Sequence, residues 1–489
     1  MGFDFDRETR QKLGYRLIDH INDYFSSLPD RKVQLPLDQR TFGQLRDKFP
    51  EIGEDAAVVL DDISREMIDK GFHVPSANYF GLMNPTPTYM AVLAEALVAA
   101  INPQLATLAR SQLASKIESE TLRWIAERVG WCKVTGSEKP CDDMIGCDGT
   151  FTSGGNEANF SALALALAAR FPESIEEGVA TIGARAIVYA SSESHHSLDK
   201  SVGLLGLGRK SLRRIAVDKN LQLDIAKLET AIEADLAAGH KPLCIVATAG
   251  TTNSGAIDDI EALADIAKKY GIWLHVDGAY GAAAIFSNKH RDLVRGIERA
   301  DSITIDPHKW LAMPFAAGVI LTSRPELLQK AFAITTPYMP KAEVSNLIDN
   351  FKVSTQWSRR MNSLKLWLTL RVHGRQAYEE LIDRQLKLAA DFAHWIDQSD
   401  DFELAAPQKL PIVNFTVKAS SEAERAAANA ALVDAVTENG KLWISQTIVD
   451  GRSVVRMMVI SYLTDEHNLE LLKSSLKKAA ERIVSKARA

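Results

Sequence analysis

The stretch SITIDPHKW, residues 302–310, decides the fold. Ser302–Ile305 is a short run with β-branched residues and Asp306-Pro307 ends it in a turn, so Lys309 falls just past the carboxyl end of a predicted strand. Open α/β sheets place their ligands at that end. Outward from it the pattern repeats, with strands predicted over residues 186–190, 243–248, 272–276 and 318–321. Helical periodicity fills the gaps at 157–170, 223–238 and 260–269. Short β-branched runs alternating with helices predict an α/β fold, a mostly parallel sheet covered by helices, over about residues 86–365.

The flanks differ in character. Residues 1–85 read as polar and helical, amphipathic near 7–25 and 55–70, with too thin a core for a free domain; such a segment is expected to pack on a partner. From 366 onward a long helical pattern at 366–397 precedes strand candidates at 411–417 and 453–461 and an amphipathic helix at 466–485, the makings of a small α+β domain. The 489 residues are 46% hydrophobic and 25% charged, which excludes collagenous, low-complexity and wholly disordered chains. Lys and Arg number 57 against 63 Asp and Glu, without a basic block, so nucleic acid is not expected as a partner. Four cysteines, Cys132, Cys141, Cys147 and Cys244, form no CxxC pair and read as reduced thiols in a cytoplasmic protein. The N-terminus is charged from Asp4 and has no apolar signal core, and Gly2 lacks the Ser/Thr of a myristoylation motif. The best apolar run, residues 89–101, contains Glu95 and falls short of the roughly 18 residues a membrane span needs, so no membrane association is expected. No HExxH or comparable spacing suggests a metal.

Five segments could carry chemistry. Lys309, if its apolar neighbours desolvate it, would have a lowered pKa and a free amine for a Schiff base; the alternative is a solvated loop lysine. HVDGAY (275–280) runs a strand of Trp, Leu and Val into Asp277, whose carboxylate needs a cation or a hydrogen bond. Alone it could cap a helix or bind a metal; one strand from Lys309 it could face a protonated ring nitrogen. TSGGNEAN (152–159) is a Gly-rich turn opening a helix, where free N–H groups and the helix dipole suit a phosphate, although no GK[ST] follows and an ordinary loop fits too. VATAGTT (246–252) offers the hydroxyl of Thr248 at a strand end, and ESHHS (193–197) places His195 and His196 on another loop. Together, a phosphate turn, an anion for a pyridinium, a hydroxyl and a Schiff-base lysine are the components of a pyridoxal-phosphate site.

TSGGNEAN, ATAGTT, HVDGAYG and DPHKW stand in the order and spacing of the group II pyridoxal-phosphate-dependent decarboxylases, the family of aromatic-L-amino-acid, histidine and glutamate decarboxylases, which the chain resembles from about Tyr79 to Ala479. The resemblance implies fold type I, with an aspartate aminotransferase-like large domain at 86–365, a helical segment at 1–85 and a small α+β domain at 366–489. It implies that Lys309 carries the cofactor, Asp277 partners the pyridine nitrogen, Ala279 lies under the ring and His195 stacks on its other face. Gly154, Gly155 and Asn156 match the phosphate turn, supported by His308, and Thr248 matches the residue near the phenolic oxygen. Tyr338, in TTPYMP (335–340), resembles the loop tyrosine that reprotonates Cα after carbon dioxide leaves; relatives that form aldehydes oxidatively have phenylalanine there.

The implied reaction is decarboxylation of an L-amino acid to its amine, aromatic substrates ahead of acidic ones. Decarboxylation-dependent oxidation to an aldehyde, transamination and carbon–carbon lysis are the alternatives on the same cofactor. A catalytically silent homologue is the alternative of another class, and Lys309, Asp277, His195 and Tyr338 all being present argues against it. The resemblance further implies a homodimer with its active site at the subunit interface, the N-terminal segment wrapping the partner and QWSRR (356–360) reaching across. Two features depart from the aromatic branch: Leu82, Met83 and Gln104-Leu105-Ala106 replace its aromatic pocket walls. Asp306 stands where some relatives have asparagine near the phosphate, adding an anion that must be protonated, paired or turned away.

Overall fold

The computed structural model describes residues 3–35, 49–131, 148–334 and 348–488. Tyr338 and three of the four cysteines lie outside the described residues. Seven strands form the large sheet: β1 Asp148–Thr152, β2 Ala186–Ser191, β3 Leu212–Ile215, β4 Lys241–Thr248, β5 Trp273–Asp277, β6 Ser302–Ile305 and β7 Gly318–Thr322. Their order is β1-β7-β6-β5-β4-β2-β3. Only β7 runs against the rest, antiparallel to both β6 and β1.

Both faces of the sheet are covered, which is why β2, β4 and β7 read as nearly unbroken apolar runs. Ala186, Val188 and Ala190 point to one face and pack with Leu163, Leu165 and Leu167 of the helix Gly155–Arg170. Ile187 and Tyr189 point to the other, into the core that holds Leu263 and Ile266 of the helix Ile260–Tyr270. That helix starts where the Asp259 carboxylate accepts the Ala262 N–H at 3.0 Å, an N-cap that binds one of the orphan amides of its first turn.

The strand β6 spans the residues its sequence predicts, and the other predicted strands and helices of this region end within two residues of their observed limits. β1 and β3 were not legible. β1 carries one bulky apolar side chain, Phe151, and lies at the sheet edge with β7 alone beside it. Its free edge is served by side chains: Phe151 N–H donates to Glu118 Oε1 at 3.4 Å, and Arg359 Nη1 donates to the Phe151 carbonyl at 3.1 Å.

A second, antiparallel sheet follows, with β8 Phe402–Leu404, β9 Ile412–Val417, β10 Ser445–Val449 and β11 Arg452–Met458 in the order β10-β11-β9-β8. The helix Ser363–Asp397 leads into it, kinked at Gly374, whose φ of 73° suits glycine. Phe80 packs in the core of this second sheet and donates its N–H to the Trp443 carbonyl at 2.8 Å. At the N-terminus the helices Arg7–Ser27 and Ala56–Lys70 bury no residue, and Val58, Val59 and Met67 face outward. Among the described residues no helix is long and apolar enough to cross a membrane.

Candidate active site

The topology gathers the sequence motifs at one edge of the large sheet. β4 ends on Thr248 and β5 on Asp277, which are paired across the ladder, while β6 leads through Asp306 to Lys309. The loop after β2 carries His195, and β1 runs into Gly154. β7 starts at the same edge, and it comes so close that a Cβ on Gly318 would sit 2.5 Å from Gly154 Cα. A Cβ on Gly155 would lie 2.9 Å from Asp306 Oδ2 and 3.2 Å from Ala279 Cβ, so the Gly-rich turn, Asp306 and Ala279 share one small space. The Gly154 carbonyl accepts from the Glu157 and Ala158 N–H groups at 3.0 and 3.1 Å, while the amides of Gly155 and Asn156 at the start of the helix Gly155–Arg170 have no intrahelical acceptor. The Asn156 side chain itself is exposed.

Asp277 is 5% exposed. Its Oδ2 accepts from Asn159 Nδ2 at 2.8 Å and its Oδ1 from the Ala279 N–H at 3.2 Å. Among the described residues no Lys, Arg or His nitrogen comes within ion-pair distance of it. A buried carboxylate held only by neutral donors is short of a positive charge, and one strand away stands a lysine. Asn159 and His275, which flank Asp277, were missed by the sequence reading. A signal was present for His275: strand alternation puts Trp273, His275 and Asp277 on one face.

Lys309 does not meet the apolar surroundings its neighbours in sequence suggested. Its Nζ is 3.1 Å from Asp306 Oδ2, so of the three fates open to Asp306 the structure shows pairing. Asp306 Oδ1 is buried and makes no hydrogen bond. His308 Nδ1 accepts the Ala317 N–H at 2.9 Å, which leaves Nε2 as the donor of the neutral ring, 3.5 Å from Asp306 Oδ2. Burial lowers the His308 pKa against the opposing pull of Asp306, favouring that neutral form. His195 is fixed in the same tautomer by the Ser197 N–H, 3.1 Å from its Nδ1. Burial again lowers its pKa, with the Asp277 charge working the other way. His196 turns outward to Asp199 at 3.3 Å, apart from its neighbour. Thr248 Oγ1 lies 3.0 Å from Ser194 Oγ, and its N–H donates to Asp258 Oδ2 at 2.7 Å.

This donor set fits pyridoxal phosphate. The Gly154–Gly155 turn is a cradle that a Cβ would fill, the His308 ring stands beside it with Cε1 3.0 Å and Nε2 3.8 Å from a Cβ on Gly154, and Asp277 has an unmet need for a cation such as a protonated ring nitrogen.

Comparison with known proteins agrees. The family described as the pyridoxal-dependent decarboxylase conserved domain matches residues 36–418. An aromatic-L-amino-acid decarboxylase of Bacillus atrophaeus is 30% identical over 97% of this chain and 96% of its own. A phenylacetaldehyde synthase of Arabidopsis thaliana is 28% identical over 95% and 94%. The crystal structure of Oryza sativa TDC with PLP and tryptamine superposes with a TM-score of 0.90 at 25% identity, covering 99% of this chain and 100% of that one. The chain thus belongs to the pyridoxal-dependent decarboxylases and works with pyridoxal phosphate as its cofactor.

Proposed function

We propose that this enzyme converts an aromatic L-amino acid to its amine and carbon dioxide, with Lys309 and Asp277 as the two poles of the site. The observation that carries the assignment of roles is Asp277: a buried carboxylate with no cation within ion-pair distance among the described residues, one strand from a lysine. Bound, the cofactor supplies a sink for the electron pair left when the Cα–carboxylate bond breaks. In this reading Lys309 Nζ, paired with Asp306 at 3.1 Å, would hold the cofactor. Asp277 would accept from the ring nitrogen and keep a proton on it, which places positive charge where the electron pair develops. The N–H groups of Gly155 and Asn156, with His308 Nε2–H, bind the phosphate. His195 and Ala279 would hold the cofactor ring between them, and Thr248 would offer its hydroxyl to the phenolic oxygen. Tyr338 returns a proton to Cα. The large domain at 86–365, the segment at 1–85 and the small domain at 366–489 are read as the units that carry these parts.

The preference for an aromatic substrate rests on the aromatic-amino-acid decarboxylases among the relatives. The reading extends to a cytoplasmic homodimer. Its support is the apolar surface left open by the N-terminal helices and by Leu97, Ile101 and Leu113, which a second copy would cover. The phenylacetaldehyde synthase relative favours one second reading, oxidative decarboxylation to an aldehyde. The test is to supply a panel of L-amino acids and measure carbon dioxide, amine, aldehyde and peroxide together. Equal carbon dioxide and amine from Tyr, Trp or Phe supports the proposal. Aldehyde with peroxide supports the second reading, and carbon dioxide from acidic substrates alone overturns the aromatic assignment.

A further inference from the structure

Behind Asp277 runs a hydrogen-bond chain that no part of the proposed mechanism has used. We infer that Asn159 and His275 are positioning residues which, with Ser302, hold Asp277 as a pure acceptor and leave its charge to be balanced by the cofactor ring alone. The inference rests on the role of Asp277 proposed above.

The direction of donation is fixed link by link. A carboxylate only accepts, so the Asn159 amide must turn its nitrogen to Asp277 Oδ2, 2.8 Å away; the opposite rotamer would set oxygen against oxygen. The same nitrogen donates to Ser197 Oγ at 3.0 Å. Asn159 Oδ1 therefore faces the other way, where it accepts from Thr304 Oγ1 at 2.8 Å and from His275 Nε2 at 3.0 Å. His275 is wholly buried, and burial pushes its pKa down to about 4, so the ring is neutral and carries its one proton on Nε2. Nδ1 is then an acceptor, served by the Ser302 hydroxyl at 2.9 Å. The Ser302 carbonyl, 3.2 Å from Nδ1, would accept only from a ring protonated on Nδ1, and in a neutral ring that sets Nε2 and Asn159 Oδ1 acceptor to acceptor. Ser302 Oγ in turn accepts from Trp273 Nε1–H, a group that can only donate, at 2.9 Å.

The chain starts at an indole that cannot accept a proton and ends at a carboxylate. It cannot relay protons, and every link that reaches Asp277 is neutral. It orients the carboxylate firmly without compensating its charge. A cation in the place of His275 or Asn159 would satisfy Asp277 from behind and weaken its hold on a ring proton. The ring that feels the Asp277 charge from outside this hydrogen-bond chain is His195, which burial keeps neutral against the pull of that charge.

The test reconstitutes the full-length protein with pyridoxal 5′-phosphate labelled with ¹⁵N in the ring and reads the ring-nitrogen resonance. Wild type, Asn159→Leu, His275→Phe and the conservative His275→Gln are compared. The expected result is a protonated ring in the wild type and a shift toward the unprotonated position in Asn159→Leu and His275→Phe. Their kcat should fall about tenfold or more with KM little changed, as for other outer partners of a catalytic group. His275→Gln, which keeps an N–H donor for Asn159, should restore most of both signals. Variants that bind the cofactor with the wild-type resonance would overturn the inference while leaving the role of Asp277 intact. A wild type whose ring is unprotonated would overturn both. Should one variant fail to fold, the other gives the same reading, because each breaks the chain at a different link.

Discussion

Removing the Arg359 guanidinium should destabilise the fold by a predictable amount. Arg359 and Glu118 are 3% and 2% exposed, and Arg359 Nη1 lies 2.7 Å from Glu118 Oε1. Between them they hold the N–H and the carbonyl of Phe151 on the open edge of β1. Arg359→Leu would leave the Glu118 carboxylate dry and unpaired, which costs about 3–5 kcal/mol in comparable buried pairs. A further loss of about 1 kcal/mol comes from the Phe151 carbonyl, deprived of its donor. The neutral double variant Glu118→Gln/Arg359→Gln removes the isolated charge and keeps amide groups for Phe151, so it should recover at least about 2 kcal/mol of that loss. Urea unfolding of the holoenzyme, followed by far-UV circular dichroism, measures both. A single variant within about 1 kcal/mol of wild type, or a double variant as unstable as the single, would refute the reasoning.

Other expectations follow from the same geometry. Gly318→Ala forces a Cβ to within 2.5 Å of Gly154 Cα, a backbone clash costing about 1–3 kcal/mol, and equilibrium dialysis should show weaker pyridoxal-phosphate binding; unchanged affinity would mean the turn is not the phosphate site. Asp306→Asn removes an anion from that space, so affinity for pyridoxal 5′-phosphate should rise while that for pyridoxal, which has no phosphate, should not; equal changes in both would contradict it. His275 has a folded pKa near 4 against an ordinary 6.5, so the unfolded chain takes up its proton first as pH falls. Stability held above pH 6.5 should therefore drop by up to about 3 kcal/mol between pH 6.5 and 4, and His275→Gln should flatten that part of the urea-midpoint profile.

What the sequence revealed and what it hid have physical reasons. β6 and β5 were readable because every residue in them is buried and their β-branched and large apolar residues end sharply in a turn. Four of the five site motifs were readable because each ends or follows such a strand, while TSGGNEAN was readable from its Gly-rich turn. β1 was hidden because its edge is completed by Glu118 and Arg359, residues far away in the chain. The setting of Lys309 was misjudged for a different reason: its apolar sequence neighbours outweighed the Asp306 carboxylate, three residues before it, with which it pairs. Asn159 lies inside a quoted motif, yet its contact with Asp277 exists only because the helix Gly155–Arg170 crosses the face that presents Trp273, His275 and Asp277. Those pairings belong to the packed structure and have no local signature.

The central claim is that Lys309 is the residue that binds the cofactor, and borohydride reduction of the purified holoenzyme tests it most directly. Reduction fixes the cofactor on its lysine, and peptide mass mapping then locates it. The account predicts a pyridoxyl group on Lys309 and none in a Lys309→Ala variant. A pyridoxyl group on the buried Lys365 or on any other lysine, or none at all, would contradict it.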